Sequence, residues 1–337
     1  MIFSGTLVRD TYNWQQSLAA AMRSPEELFA YLNLPHKYLA AAKQAHNDFP
    51  LCVPYEFASK MEKGNIEDPL LKQVLPFEAE LKSSENYSLD PVEEISAVST
   101  PGLIQKYTSR ALIVTTSACA VNCRYCFRRH FPYQDNSLHN TQINHILSQI
   151  EQDSNINELI LSGGDPLSLN NDRLNLLINR INDMSQIRIL RFHTRLPVAI
   201  PQRINEGFIN TLRTSNKKMV FVLHINHPNE LDHKFNLAMK KLAQNDVTLL
   251  NQSVLLKDIN DSAETLTTLS HKLFEAGILP YYLHLMDKVQ GAAHFDLPMQ
   301  KAIQIMHETQ SALPGYLVPK LVRETSGLPY KTSINLT

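Results

Sequence analysis

Three of the chain's four cysteines stand within eight residues, Cys119-Ala-Val-Asn-Cys123-Arg-Tyr-Cys126. The spacing C-x3-C-x2-C gathers three thiols on one loop. A disulfide uses two, and clustered cysteines in a chain with no export signal favour metal or redox chemistry. Structural zinc takes four ligands; His130 would complete a C-x3-C-x2-C-x3-H set. An electron-transfer [4Fe-4S] cluster is usually held by four cysteines. Three cysteines on four irons leave one iron open to a substrate or cofactor. Cys52, alone in Leu51-Cys-Val-Pro-Tyr-Glu-Phe57, reads as a buried structural thiol.

The loop needs a scaffold. Arg110-Ala-Leu-Ile-Val-Thr-Thr116 before it reads as a buried strand, and Phe127-Arg-Arg-His-Phe-Pro132 after it is basic and aromatic. The chemistry of α/β folds sits on such loops, at the carboxyl ends of strands. Further strands are expected at 158–161, 187–192, 219–225, 247–250 and 279–285, with helices between them. Leu174, Leu177, Ile178 and Ile181 recur at i, i+3, i+4, i+7 in one helix. In another, Asp261 and Glu264 form a capping-box pattern, Leu266, Leu269 and Leu273 make the buried stripe, and Gly277 stops it. Strand–helix alternation implies a parallel sheet with right-handed crossovers. Six units are too few to close an eight-stranded barrel, so the expected fold is α/β, an open, partial (β/α)6 barrel over 101–314. Residues 1–100 read as a mainly helical segment, with a helix start at Ser24-Pro-Glu-Glu27. Residues 315–337 read as a C-terminal strand and tail.

Composition narrows the class. Lys+Arg total 32 and Asp+Glu 33 in 337 residues, a net charge of −1. That balance gives no overall bias toward nucleic acid or an anionic membrane. No apolar run approaches the length of a membrane span. Met1-Ile-Phe-Ser-Gly-Thr-Leu-Val-Arg-Asp10 lacks the charged and apolar regions of a signal peptide. A reducing, cytoplasmic setting suits unpaired thiolates.

Other polar residues fall where strands end. Ser162-Gly-Gly-Asp-Pro166 follows the second strand; its glycines let backbone approach a ligand closely, or simply make a turn. His224-Ile-Asn-His-Pro228 and Asn251-Gln-Ser253 end the fourth and fifth strands, where polar groups need partners, either loop backbone or a polar cofactor.

CAVNCRYCFRRHFP, SGGDPL, HINHPNE, LLNQSVLL and Pro280-Tyr-Tyr-Leu-His-Leu-Met-Asp287 with His294-Phe295 occur in that order. The cysteine spacing resembles the signature of the radical S-adenosylmethionine (SAM) superfamily, whose barrel is partial. The whole series resembles the lysine 2,3-aminomutase family from about residue 95 to the C-terminus. Met61-Glu-Lys-Gly-Asn65 and Asp68-Pro-Leu-Leu-Lys-Gln-Val74 extend it to a short bacterial branch that resembles the elongation factor P (R)-β-lysylation enzymes.

The resemblance implies a [4Fe-4S] cluster on Cys119, Cys123 and Cys126, and SAM chelated at the open iron. It implies SAM contacts from Ser162, Gly163, Gly164, Asp165, His224 and Asn226, with the Asp165 carboxylate on the methionine amine. It also implies pyridoxal phosphate (PLP), held covalently by Lys331 after the turn Arg323–Tyr330, with Arg110 on its phosphate and Gln252 and Ser253 beside it. Lys320, the nearest rival to Lys331, sits inside the expected strand. Arg128 matches the arginine that takes the substrate carboxylate, and Asp287 one of two acids for the ε-ammonium. Glu324 stands where catabolic relatives carry the second acid, one methylene shorter. Those relatives bind zinc through cysteines; this chain has none after Cys126 and carries Ser262 at the internal position, so no zinc is expected. The implied reaction turns L-lysine into (R)-β-lysine, fed by a one-electron reductant. The implied partners are a downstream ligase and elongation factor P, with a homo-oligomer left open.

Overall fold

The computed structural model describes residues 12–136 and 142–336; the Met1–Asp10 stretch lies outside the described residues. The described residues open with short helices α1 (Trp14–Ala19), α2 (Pro25–Leu32) and α3 (Leu39–Asp48). Helix α2 starts where Ser24 predicts it: the Ser24 hydroxyl accepts from Glu27 N, and the Glu27 carboxylate accepts from Ser24 N. Met22 and Val53 pair as an antiparallel bridge, tying α2 to the next segment.

Ten strands form one sheet in chain order: β1 (Val98–Thr100), β2 (Leu103–Tyr107), β3 (Arg110–Thr116), β4 (Glu158–Gly163), β5 (Ile189–Thr194), β6 (Lys218–His224), β7 (Thr248–Val254), β8 (Leu279–His284), β9 (Lys320–Arg323) and β10 (Thr332–Ser333). Strands β3 to β9 are parallel, and antiparallel strands flank them on both sides. The crossovers carry helices α4 (Ile143–Gln152), α5 (Asn171–Asn182), α6 (Glu206–Arg213), α7 (His233–Ala243), α8 (Ala263–Glu275) and α9 (Met299–Ala312). Helix α5 buries Leu174, Leu177, Ile178 and Ile181, the four residues its periodicity selects. Each such burial stabilises by roughly 1.5–3 kcal/mol over exposure.

Two expectations shift. Ser262, rather than Asp261, caps α8 by accepting from Thr265 N. The strand expected from Gly315 is shorter. Gly315–Leu317 is a turn of 3-10 helix, and pairing begins only at Lys320, because Pro314 and Pro319 have no N–H to donate to a ladder.

A parallel sheet normally buries both faces and reads as a continuous apolar run. Here β5 alternates along its length: Arg191 and His193 point one way, toward the inner face, while Leu190, Phe192 and Thr194 are buried the other way. Register carries that face across neighbouring strands, with Ile160 opposite Arg191 and His224 opposite Gln252. The outer face packs on the helices. The residues of the N-terminal segment, from Trp14 to Leu75, belong to the same apolar core as those of β3 to α8. A second core joins Leu283 and Leu321 to Ala302, Ile305 and Met306 of α9. Among the described residues no helix is long and apolar enough to cross a membrane.

Candidate active site

Glu324, just past β9, bridges by its side chain back to β2. Its carboxylate accepts from Lys106 Nζ of β2 at 3.1 Å and from the Tyr107 hydroxyl at 3.3 Å. A cavity opens inside the curved sheet. It is lined by Arg110 from β3, Ser162 from β4, Arg191 and His193 from β5, His224 from β6, Gln252 and Ser253 from β7, and Tyr282 and His284 from β8. Cys123, Cys126 and Arg128 close it from the cysteine loop, and Asp287, Glu324 and Lys331 from the C-terminal side.

The cysteine loop is fixed from behind by the N-terminal segment. Backbone bonds run from Asn122 N to Cys52 O at 3.2 Å and from Arg124 N to Gln73 O at 2.9 Å. The Cys52 thiol, buried as expected, donates to Ala120 O at 3.4 Å. Arg124 and Arg129 both pair with the buried Glu80 carboxylate. All four cysteines are free thiols. Burial, then the neighbouring Cys126, pushes the Cys119 thiol well above its ordinary value. Burial, then Cys123, raises Cys126 to about 11. Bound iron would reverse that mutual repulsion, since a coordinating thiol is deprotonated. Among the described residues no three His, Cys, Asp or Glu side chains gather closely enough for a single metal ion. Three free thiols on one loop are the donor chemistry that an iron–sulfur cluster takes. His130 is exposed, and its Nε2 meets Gln290 O at 3.2 Å.

The glycines of 162–166 let two strand ends nest. Gly163 has φ +113°, and a Cβ there would meet Thr116 O at 2.8 Å; one on Gly164 would meet Ala118 O at 2.5 Å. The turn is thereby pressed against the entry to the cysteine loop, and Gly164 N donates to Thr116 O at 2.7 Å. Asp165 is placed otherwise than its expected role requires. Its buried carboxylate accepts from Leu167 N, Thr194 Oγ1, Arg195 N and Leu196 N at 2.7–3.0 Å, which occupies its four lone pairs away from the cavity. Asn226 is likewise committed: its amide donates to Gln73 and Tyr125 and accepts from Val254 N. Only Ser162 of that element, with His224, reaches the cavity wall.

Arg128 forms a two-pronged pair with Glu94, Nε to Oε2 at 2.6 Å and Nη2 to Oε1 at 2.7 Å, and its third nitrogen donates to Ser162 Oγ at 3.0 Å. The arginine is therefore built to hold a carboxylate and holds one from its own chain. Lys331 Nζ pairs with the other oxygen of Glu324. Burial would raise Glu324, but Lys331 and Lys106 hold it down to about 2. Burial takes Asp287 the other way, up to about 7, although Lys331 draws it back. Two acids of one pocket thus titrate far apart.

Sequence reasoning missed Glu94, Lys106, Arg191, His193 and His284. Burial, then nearby cations, lowers His193 and His284 well below the usual histidine value and His224 to about 3. These rings are neutral, and the cavity's positive charge comes from its arginines and lysines. The period-two polarity of β5 was the available signal; ending that strand at Phe192 cut it one residue short of His193.

Residues 108–195 match the 4Fe-4S single cluster domain family, a span that includes all three loop cysteines and Arg195. The chain carries a cluster-binding segment inside an α/β enzyme. It is 48% identical to an L-lysine 2,3-aminomutase of Haemophilus influenzae over 97% of this chain and 96% of that protein. It is 46% identical to one of Escherichia coli, over 96% and 95%. An L-lysine 2,3-aminomutase of Clostridium subterminale is 30% identical over 99% of this chain and 80% of that protein. A solved radical SAM methyltransferase from Sphaerobacter thermophilus overlays loosely, at 15% identity over 66% of this chain and 68% of that chain, with a TM-score of 0.46. The chain belongs to the lysine 2,3-aminomutase family and is an isomerase.

Proposed function

We propose that this enzyme moves the α-amino group of L-lysine to the β-carbon, giving (R)-β-lysine, with a [4Fe-4S] cluster, SAM and PLP. The observation that carries the reading is that one cavity is lined by both the cysteine loop and Lys331, a residue near the end of the chain. A chemistry needing either group alone would not require that meeting. The relatives named L-lysine 2,3-aminomutase support the same substrate.

In this reading Cys119, Cys123 and Cys126 ligate three irons of the cluster. Ser162, the backbone of Gly163 and Gly164, and His224 would hold SAM. Asp165 and Asn226 act one layer out, shaping the loops that bound SAM. Lys331 holds PLP, with Arg110 on the phosphate and Gln252, Ser253 and neutral His224 lining the ring's surroundings. When bound, cluster and SAM supply a carbon radical and PLP an electron-delocalising ring; the protein supplies placement and exclusion of water. Arg128 exchanges Glu94 for the substrate carboxylate, a swap of like for like. Asp287 and Glu324 receive the ε-ammonium. Glu324 enters that role already shared between Lys106 and Lys331, so Asp287 offers the less encumbered carboxylate. A half-enclosed site keeps a reactive radical from solvent and protein.

Residues 1–100 serve as the brace of the cysteine loop, 101–314 as an open partial barrel, and 315–337 as the strand and tail that present Lys331. A reductant supplies one electron per cleavage of SAM. The product passes to a ligase that modifies elongation factor P in the cytoplasm. The test is anaerobic reconstitution with PLP, SAM, dithionite and L-lysine, followed by mass spectrometry. β-Lysine that vanishes in Lys331→Ala is expected. 5′-Deoxyadenosine without β-lysine, from protein holding both cofactors, would overturn the assignment of lysine as substrate.

A further inference from the structure

We infer that Arg195 is a positioning residue that sets the cluster's reduction equilibrium through Cys123, with Glu230 as its counterweight. Arg195 follows β5 directly, and its guanidinium is buried. One nitrogen, Nη1, donates to Cys123 Sγ at 2.8 Å and to the Tyr125 hydroxyl at 2.7 Å. The other, Nη2, donates to Gln73 Oε1 at 2.6 Å and Glu230 Oε2 at 2.9 Å. Its backbone N is held by Asp165, which explains where that carboxylate's bonding capacity goes. Gln73 comes from the N-terminal segment and Glu230 from the loop after β6, so three parts of the chain fix one charge beside one sulfur.

The inference rests on the reading that Cys123 ligates the cluster. Reduction adds one electron, hence one negative charge, to iron and sulfur. A cation and an N–H donor on a ligating sulfur favour the more negative form, and hydrogen bonds to sulfur are a recognised lever on cluster potentials. Glu230, fully buried, opposes that field from the far side of the same guanidinium. Removing the arginine must therefore disfavour reduction, and removing the glutamate's charge must favour it. A merely structural link would not give opposite signs.

The test is a redox titration of the reconstituted protein without SAM or lysine. Dithionite is the electron donor, and the reduced cluster is followed by electron paramagnetic resonance. Arg195→Gln is expected to shift the equilibrium about tenfold toward the oxidised form, which is 59 mV for a one-electron couple. Arg195→Lys should recover part of that, and Glu230→Gln should shift it several-fold the other way. If Arg195→Gln holds no cluster by iron content, Glu230→Gln decides alone. A loaded wild type whose loaded variants all titrate with it overturns this inference only. A wild type that takes up no cluster overturns the cluster reading and this inference together.

Discussion

The cysteine loop and the lysine tail face one cavity, yet they are anchored very differently. Behind the loop, Glu80 joins Arg124 and Arg129, and Gln73 and Glu230 join Arg195, all of them buried. The tail's ties include the two-residue β10, a bond from Ile334 N to Leu321 O at 3.0 Å, a contact of His307 Nε2 with Leu336 O at 2.6 Å, the exposed Ser326–Glu93 bond, and the pair between Lys331 and Glu324. Leu328 and Tyr330 beside it are exposed. Buried charges are costly unless held in good geometry, so displacing the loop would break several buried ion pairs at once. Segments that move are drawn from the least stable parts of a fold. On the proposed chemistry the cluster must not shift, whereas the lysine exchanges its bonded partner in every turnover.

The largest effects should separate the two halves chemically. Cys123→Ala is expected to abolish 5′-deoxyadenosine formation while PLP absorbance is retained. Lys331→Ala is expected to abolish β-lysine while iron content is retained. Mass spectrometry and iron analysis check both; loss of both cofactors in either variant would break the division.

Stability should separate them next. Glu80→Ala leaves two buried guanidinium groups without their carboxylate, and denaturant unfolding should show a loss of about 3–5 kcal/mol. Ser326→Ala removes the tail's bond to Glu93 at an exposed site and should stay within about 0.5 kcal/mol. Equal losses would show that the tail is held as firmly as the loop.

Much of this was legible in the residues themselves. The period of α5, the Ser24 cap and the strand before Cys119 are local patterns, decided by neighbours a few positions away. Lys331, Glu324 and Asp287 come from the family resemblance, since nothing in the residues alone marks them, and they prove to share one cavity. What stayed hidden was decided by partners far apart in sequence. Nothing near Glu94 announces Arg128, 34 positions on. Nothing near Asp165 announces that Arg195 and Leu196, about 30 positions on, will use its carboxylate. Polar residues at strand ends look equally available until the fold decides which face the cavity.

Smaller effects sharpen the picture of substrate entry. Arg128→Ala should raise the KM for lysine about 10- to 100-fold, the loss of a charged hydrogen-bonded pair worth about 1.5–3 kcal/mol. Glu94→Gln should lower it several-fold, because the substrate carboxylate no longer displaces a charged competitor. Steady-state kinetics decides; a rise in KM for Glu94→Gln would mean that Glu94 orients Arg128 rather than competes for it.

A further effect is in pH. Asp287 is raised to about 7 in the folded chain from an ordinary carboxyl value near 4, so folding favours its protonated form. Its cost to stability is absent at pH 4, grows as pH rises toward 7, and is constant above. Asp287→Asn should therefore match the wild type near pH 4 and exceed it in melting temperature at pH 8. The KM for lysine should fall between pH 6 and pH 8 as Asp287 ionises, and the asparagine variant should lose that slope.

The most direct test of the central claim, that cluster and lysine serve one reaction in one cavity, is label transfer from lysine deuterated at its β-carbon. Deuterium should appear in 5′-deoxyadenosine and in β-lysine with the wild type, and in neither with a cluster-loaded Lys331→Ala variant. Equal deuterium in 5′-deoxyadenosine from that variant would contradict the account, because the substrate would then reach the radical without the lysine that is held to position it.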